Sequence, residues 1–464
     1  MNGLVLDSLR RGFAGQLLQP DDPGYDAARD VWNAMIDRRP VLICRCTSSA
    51  DVAAAIRFAR ANDLEIGVRC GGHSVTGLAV PDGGLMIDLS PMQGVRVDPD
   101  RRRAWVQGGA LLGNLDRATQ QFGLATTAGN ISHTGVGGLT LGGGMGWLAR
   151  QCGLACDNVV SFEVVTAEGE VVRASATENP DLFWGLRGGG GNFGVVTEFE
   201  FRLHPTGTAA TVVELYYDLD VAANVVRGWH EFIADAPRQQ TLTAWVGTAG
   251  PWPFLSPDLH GRQLVGVGYV WVGDPAEGRS LLPAFRQLGK PVAERFDEVT
   301  YLQLQSQDDD VQGHTFRRYW KGHYLRELSD GGIDALLSRG VAGVSSGEAS
   351  MLPNAGLQTH GGAIGEVAPD DTAFDHRDVL VEFTTSARWD DPAEDEARIA
   401  AVRRAGAAME PYASGNYVNS LADEGQAGVQ RAYGGDKLAR LSALKARYDP
   451  DNVFHLNHNI RPSG

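Results

Sequence analysis

The segment Ile66-Gly67-Val68-Arg69-Cys70-Gly71-Gly72-His73-Ser74-Val75-Thr76-Gly77 carries a short apolar strand into two adjacent glycines, a histidine, a serine and a further glycine. Glycine lets the backbone take positive φ and approach a ligand closely. Successive N–H groups in such a turn form a concavity that attracts anions. His73 stands where a bound phosphate compound can be touched. Upstream, Ser48 with Asp51 three residues on resembles a capping box. It opens a helix through Val52, Ile56 and Phe58 to about Asn62, between a strand at 41–44 and the strand at 66–69. The loop thus closes a strand–helix–strand unit.

Two further glycine clusters fit the same theme. Ala128-Gly129-Asn130-Ile131-Ser132-His133-Thr134-Gly135-Val136-Gly137-Gly138 runs on into Leu141-Gly142-Gly143-Gly144-Met145-Gly146-Trp147, and Gly188 to Gly191 follow a short helix begun by Pro180. Helices and strands bear so many glycines only at a cost, so the backbone is expected to follow a bound surface or to pack very closely. Gly189-x-Gly191-x-x-Gly194 matches the dinucleotide fingerprint as a string. That fingerprint needs a strand before it and a helix after it, and here the order is reversed. There is no Walker A motif and no zincin pair. Three clusters in a region of alternating strands and helices point to a long, phosphate-bearing cofactor.

Composition sets the outer bounds. The 464 residues are 43% hydrophobic and 21% charged, with 59 glycines and a net charge of -16. This is a globular chain of about two to four domains. The negative charge argues against nucleic acid or an anionic membrane as partner. Cys44, Cys46, Cys70, Cys152 and Cys156 form no disulfide framework, which suggests a reducing, cytoplasmic setting. Cys152 and Cys156 lack a second pair, so no metal is expected. Arg10-Arg11 are followed by no apolar h-region, and no apolar run approaches ~20 residues, so a soluble protein without a signal peptide is expected.

Helices are expected at 25–36, 111–122, 221–233, 278–288, 392–409 and 437–448, and strands at 85–89, 95–97, 104–106, 159–165 and 171–174. Val195 to Leu203 alternates apolar and charged residues, as a half-buried strand does. Past Pro205 the glycine clusters vanish, Trp and Tyr become frequent, and alternation at 264–272 and 379–385 suggests a mostly antiparallel sheet. The organisation expected is 1–205 (core about 37–205), then 206–415, then a polar, glycine-bearing segment at 416–464.

Arg69-Cys70-Gly71-Gly72-His73-Ser74 resembles the flavin-attachment loop of the FAD-linked oxidases related to vanillyl-alcohol oxidase and berberine bridge enzyme. The resemblance continues through Ser132 to Gly138, Gly142 to Gly144, Gly153-Leu154 with Asp157-Asn158, and Asp181 to Trp184 with Gly189 to Val196. It ends in Tyr448-Asp449-Pro450-Asp451-Asn452-Val453-Phe454. It implies an α+β fold: a PCMH-type FAD-binding domain plus a substrate domain with a large antiparallel sheet backed by helices. It implies FAD bound covalently, through the 8α-methyl, to His73. Bicovalent members carry a cysteine where Ile131 stands, so a single link is expected. The positions matched to FAD are Val68, Arg69, Cys70, Gly71, Gly72, Ser74, Gly77, Gly129, His133, Thr134, Gly135, Gly137, Gly138, Gly142, Gly143, Gly144, Gly194, Val196, Tyr417, Asn419 and Asn457.

Tyr417-Val418-Asn419 resembles the family's Tyr-x-Asn strand, which would put Tyr417 and Asn419 on one face. Tyr417 is either a base, with a pKa lowered from about 10, or a packing residue, with Asn419 at the flavin edge. His360, at the end of an apparent strand from Leu357, is a second candidate base or a structural histidine. Tyr319, Trp320, Lys321 and Tyr324 line the pocket or fill the core, and Asn457 and Asn459 brace the flavin or the chain end. Met145 stands where many relatives have an aromatic residue. The implied activity is hydride transfer from a small organic substrate to flavin N5, with O2 re-oxidising the flavin to give H2O2. A secondary-metabolite alcohol or amine is the expected substrate, as in bacterial members of antibiotic and aromatic-degradation pathways. A monooxygenase using an oxygenated flavin and an oxygen-excluding dehydrogenase are the alternatives. The protein is expected as monomer or homodimer.

Overall fold

Local chemistry places the first elements. Ser48 accepts a hydrogen bond from the Asp51 amide and starts the helix Ser49–Ala61. The structure, a computed structural model, describes residues 3–309, 313–340 and 351–464. The strands β1 (Gln16–Leu18), β2 (Leu42–Arg45), β3 (Ile66–Arg69) and β4 (Leu85–Asp88) form a sheet in the order β1-β2-β4-β3. Its β2, β4 and β3 are parallel, so the histidine loop leaves a sheet edge.

Next come β5 (Val95–Asp98), β6 (Arg103–Gln107), β7 (Leu124–Ala125), β8 (Val159–Val165), β9 (Val171–Ser175), β10 (Val195–Arg202) and β11 (His204–Pro205). Five of them pair antiparallel in the order β5-β6-β10-β8-β9, while β7 and β11 pair apart. In β10, Val195, Thr197, Phe199 and Phe201 are buried, and Glu198 and Glu200 are only partly so, as the alternation requires.

The third sheet contains β12 (Ala209–Asp218), β13 (Gln240–Thr248), β14 (Gln263–Val272), β15 (Ala293–Thr300), β16 (Arg317–Leu325), β17 (Asn354–Thr359) and β18 (Val381–Trp389). All pairs are antiparallel, in the order β15-β12-β14-β13-β17-β18-β16. One face packs Leu242, Ala244, Val267, Leu357 and Phe383 under Trp229, Ile333 and Met409 of the covering helices. Side chains alternate faces along a strand, so the opposite face can be read from the register. One row across it is Glu214, Gly268, Thr243, Gln358, Glu382 and Tyr324. The next is Tyr216, Gly266, Trp245, Gly356, Thr384 and Gly322.

This polar face meets the second glycine segment. Asn130 Nδ2 donates to Gln358 Oε1 at 2.9 Å, and Ser132 Oγ donates to Asp309 at 2.6 Å. Buried Arg377 pairs with Asp157 at 2.7 Å. Residues after 416 complete the core around the second sheet: Tyr417, Leu421, Tyr433, Leu441 and Ile460 pack with Phe162 and Phe199. Fully buried Lys445 and Asp449 pair at 2.6 Å, Lys445 also holds the Asn192 and Phe454 carbonyls, and Asp449 accepts from the Val453 and Phe454 amides.

Three expectations fare differently. The helix expected at 25–36 covers only Tyr25–Arg29. Beyond it the Trp32 and Ala34 amides bond the carbonyls of Gly72 and Phe316 instead of a helical turn. Part of the second glycine segment is helical after all, over Val136–Leu141. The helix expected at 278–288 is divided, with Pro283 near the start of Leu282–Phe285. Among the described residues no helix is long and apolar enough to cross a membrane.

Candidate active site

The first two glycine segments touch. A β-carbon on Gly71 would lie 2.3 Å from the Gly135 nitrogen, and one on Gly137 would lie 3.1 Å from the Gly108 carbonyl. Cys70 is wedged beside them, and burial pushes its thiol up to about 11, against the opposing pull of the Gly137, Gly71 and Gly138 amides. Gly138 is exposed, with nothing within 4 Å of its added β-carbon.

His73 crowns this junction. Its ring stacks on Trp32 at 4.7 Å, its Nε2 lies 2.7 Å from His133 Nδ1, and its Nδ1 lies 3.4 Å from Thr134 Oγ1. Burial first, then the neighbouring His133 and His314, hold the His73 pKa well below the usual histidine range. The ring is therefore neutral near pH 7, with a lone pair available. The ligand atoms of His73, His133 and His314 lie within 4.8 Å of one another, a trio that spacing in the sequence did not bring together.

The remaining first-loop residues take supporting places. Val68 sits in β3 opposite Ile87 of β4. Arg69 donates to the Ala28 carbonyl. Ser74 Oγ meets Thr76 Oγ1 at 3.0 Å, and positive-φ Gly72 and Gly77 face Val31 and Ile36. Gly129 lies against Leu139 and Leu112.

Gly142, Gly143 and Gly144 form a second neighbourhood. Side chains at these positions would strike Asn419, Phe374 and Ala155 respectively. Tyr417 and Asn419 reach this place from a 3-10 turn at Val418–Ser420, not from the strand expected. They still meet, because the Tyr417 hydroxyl accepts from Asn419 Nδ2 at 2.9 Å and from the amides of Gly144 at 2.8 Å and Met145 at 3.3 Å. Burial, then the charge of Glu382, hold the Tyr417 pKa above the usual phenol range, while those three donors pull it down. Gly194 packs on Val164 and Val165, Val196 is buried in β10, and Asn457 donates to the Gly191 and Phe454 carbonyls.

His360 is buried and 3.8 Å from Glu382, and its ring lies edge-on to Tyr324. Glu382 was not singled out from the sequence. It is 8% exposed, its Oε1 accepts from Ser420 Oγ at 2.8 Å, and it raises the pKa of both Tyr324 and Tyr417. Its only sequence signal was its place on the polar side of an alternating strand. Lys321 and Tyr319 donate to Asp423 and lie apart from this group, whereas Tyr324 belongs to it.

Several buried polar atoms here have no hydrogen-bond partner among the described residues: His133 Nε2, Asn130 Oδ1, Gln358 Nε2, Tyr324 Oη and both His360 nitrogens. Buried polar groups are normally paired. Together with the glycine junction that excludes side chains, they fit a polar prosthetic group and its substrate.

Comparison with known proteins gives the family. Residues 40–175 match the FAD binding domain model and residues 416–461 the berberine and berberine-like model. The chain belongs to the FAD-linked oxidoreductases of the berberine-bridge-enzyme-like family and is an enzyme. It is 33% identical to (R)-6-hydroxynicotine oxidase of Paenarthrobacter nicotinovorans, over 97% of each chain. It is 30% identical to the FAD-linked oxidoreductase YgaK of Bacillus subtilis, again over 97% of each. The structure of 6-hydroxy-D-nicotine oxidase from Arthrobacter nicotinovorans superposes with a TM-score of 0.85 at 29% identity, covering 97% of this chain and 98% of that one.

Proposed function

We propose that this enzyme is an oxidase carrying one FAD, attached through His73 and oxidising a small organic alcohol or amine. The observation that carries this is the neutral, partly buried His73 at the meeting of two glycine segments, in a chain of this family. FAD, when bound, supplies the hydride acceptor and the reactivity with O2 that yields H2O2. Residues 1–205 and 416–464 hold it, and 206–415 cover its substrate side. His133 engages one nitrogen of His73 and Thr134 faces the other, so the ring is fixed for attachment. The histidine trio is read as the surroundings of this link, with no metal required. Ile131 offers no sulfur for a second link.

Residues of the chain handle the substrate proton. Glu382, buried and 3.8 Å from His360, is the acceptor, because Tyr417 is held protonated by its burial. Tyr417 instead pins the Gly144–Met145 backbone and Asn419. Free thiols at all five cysteines suit a reducing cytoplasm.

Denaturing the holoenzyme in acid tests the link. Wild type keeps its yellow colour in the washed pellet, and His73→Ala releases it. Wild-type protein that releases all its flavin overturns the attachment, and flavin that is reduced by substrate but not re-oxidised in air overturns the oxidase assignment.

A further inference from the structure

His73 has one near-parallel ring against it among the described residues. Trp32 stacks on it with 4.7 Å between centroids and 16° between planes, whereas His133 is tilted by 38° and His314 stands at 84°. The torsion that turns an imidazole about its Cβ–Cγ bond is broad, with no sharp minimum of its own. The contact of Nε2 with His133 resists that turn weakly, because Nε2 lies close to the Cβ–Cγ axis. The flat face of Trp32 therefore sets the plane of the His73 ring.

Trp32 is itself fixed. It is 4% exposed, and its amide donates to the Gly72 carbonyl at 3.0 Å. The Arg318 guanidinium lies over its indole at 4.1 Å, and Trp320 meets it at 5.2 Å. Asn33, the next residue, ties the histidine loop to β16. Its Nδ2 donates to the carbonyls of Val75 at 2.6 Å and Arg318 at 3.2 Å, and its Oδ1 accepts from the Arg318 amide at 3.1 Å. An N-terminal segment and a strand of the third sheet thus converge on one imidazole.

The plane matters because the lone pair of an imidazole nitrogen lies in it. A bond from that nitrogen forms only where the acceptor carbon also lies near the plane. We propose that Trp32 is a positioning residue for flavin attachment, holding the His73 ring in the plane from which it meets the 8α carbon. This deepens the attachment proposed above and rests on it. The step forms one N–C bond and breaks one C–H bond of the methyl group and the N–H bond of His73. Two electrons and two protons stay on the flavin, and O2 removes them as H2O2. Misplacement on the ångström scale slows such a step about 100-fold.

The test purifies each full-length protein with FAD in excess, then measures total bound flavin and, on the denatured washed chain, linked flavin. In wild type the two agree. Trp32→Leu, which fills the space without a flat face, keeps total flavin and the denaturant midpoint near wild type, while the linked share falls about tenfold. Trp32→Phe, which restores a flat ring, retains most of the link. A linked share in Trp32→Leu equal to wild type overturns the proposal, as does a parallel loss of total flavin and midpoint that Trp32→Phe does not rescue. If Trp32→Leu is insoluble, Trp32→Met is read by the same outcomes. Wild type that releases all its flavin overturns the attachment and this proposal with it, whereas a link equally complete in wild type and Trp32→Leu overturns this proposal alone.

Discussion

Gly71 and Gly135 meet backbone to backbone, each sited so that a β-carbon on one would lie 2.3 Å from the amide nitrogen of the other. Neither glycine has positive φ, so close approach alone demands the missing side chain.

Gly135→Ala therefore forces the two segments apart. Overpacking of this kind costs about 1–3 kcal/mol. The measurements are the denaturant midpoint and the flavin retained per chain, and both should fall. A variant with unchanged midpoint and full flavin content contradicts the contact.

Tyr417→Phe leaves the Gly144 and Met145 amides and Asn419 Nδ2 without their shared acceptor. Unpaired buried donors cost about 1–3 kcal/mol. Because Tyr417 positions and Glu382 accepts the proton in the proposed scheme, Tyr417→Phe should lower stability while keeping most of kcat. Glu382→Gln should lower kcat about 100-fold or more with little loss of stability. The reverse pattern of kcat losses would make the phenol the base.

Asp116 is fully buried, and burial pushes its carboxyl up to about 7 despite a hydrogen bond from Gln305. In the unfolded chain it titrates near 3.9. Between these values the folded state holds a proton that the unfolded state has lost, so stability falls as pH rises. The full cost, about 4 kcal/mol at 1.36 kcal/mol per unit, is reached above pH 7. Asp116→Asn should match wild type near pH 4 and exceed it increasingly toward pH 8. Parallel stability curves for the two proteins would rule this out.

What the sequence made legible was local. The Ser48 cap, the alternation in β10 and the helix stop before Pro450 depend on residues a few places apart, and each is present. The segment after Arg29 was misread because its amides are claimed by Gly72 and Phe316, which no window of sequence reveals. Tyr417 and Asn419 do share a hydrogen bond, but through a turn, because the Gly144 and Met145 amides capture the phenol. Glu382 looked like an ordinary outward charge. Only the register with Gln358 and Tyr324 turns that face inward.

The Lys445–Asp449 clasp has a consequence for biosynthesis. Lys445 holds the Asn192 turn, and Tyr433, Leu441 and Ile460 finish a core begun by strands more than two hundred residues earlier in the chain. A nascent polypeptide still missing these partners cannot close that core on the ribosome. Closure of that core thus belongs to the period after translation reaches Ile460.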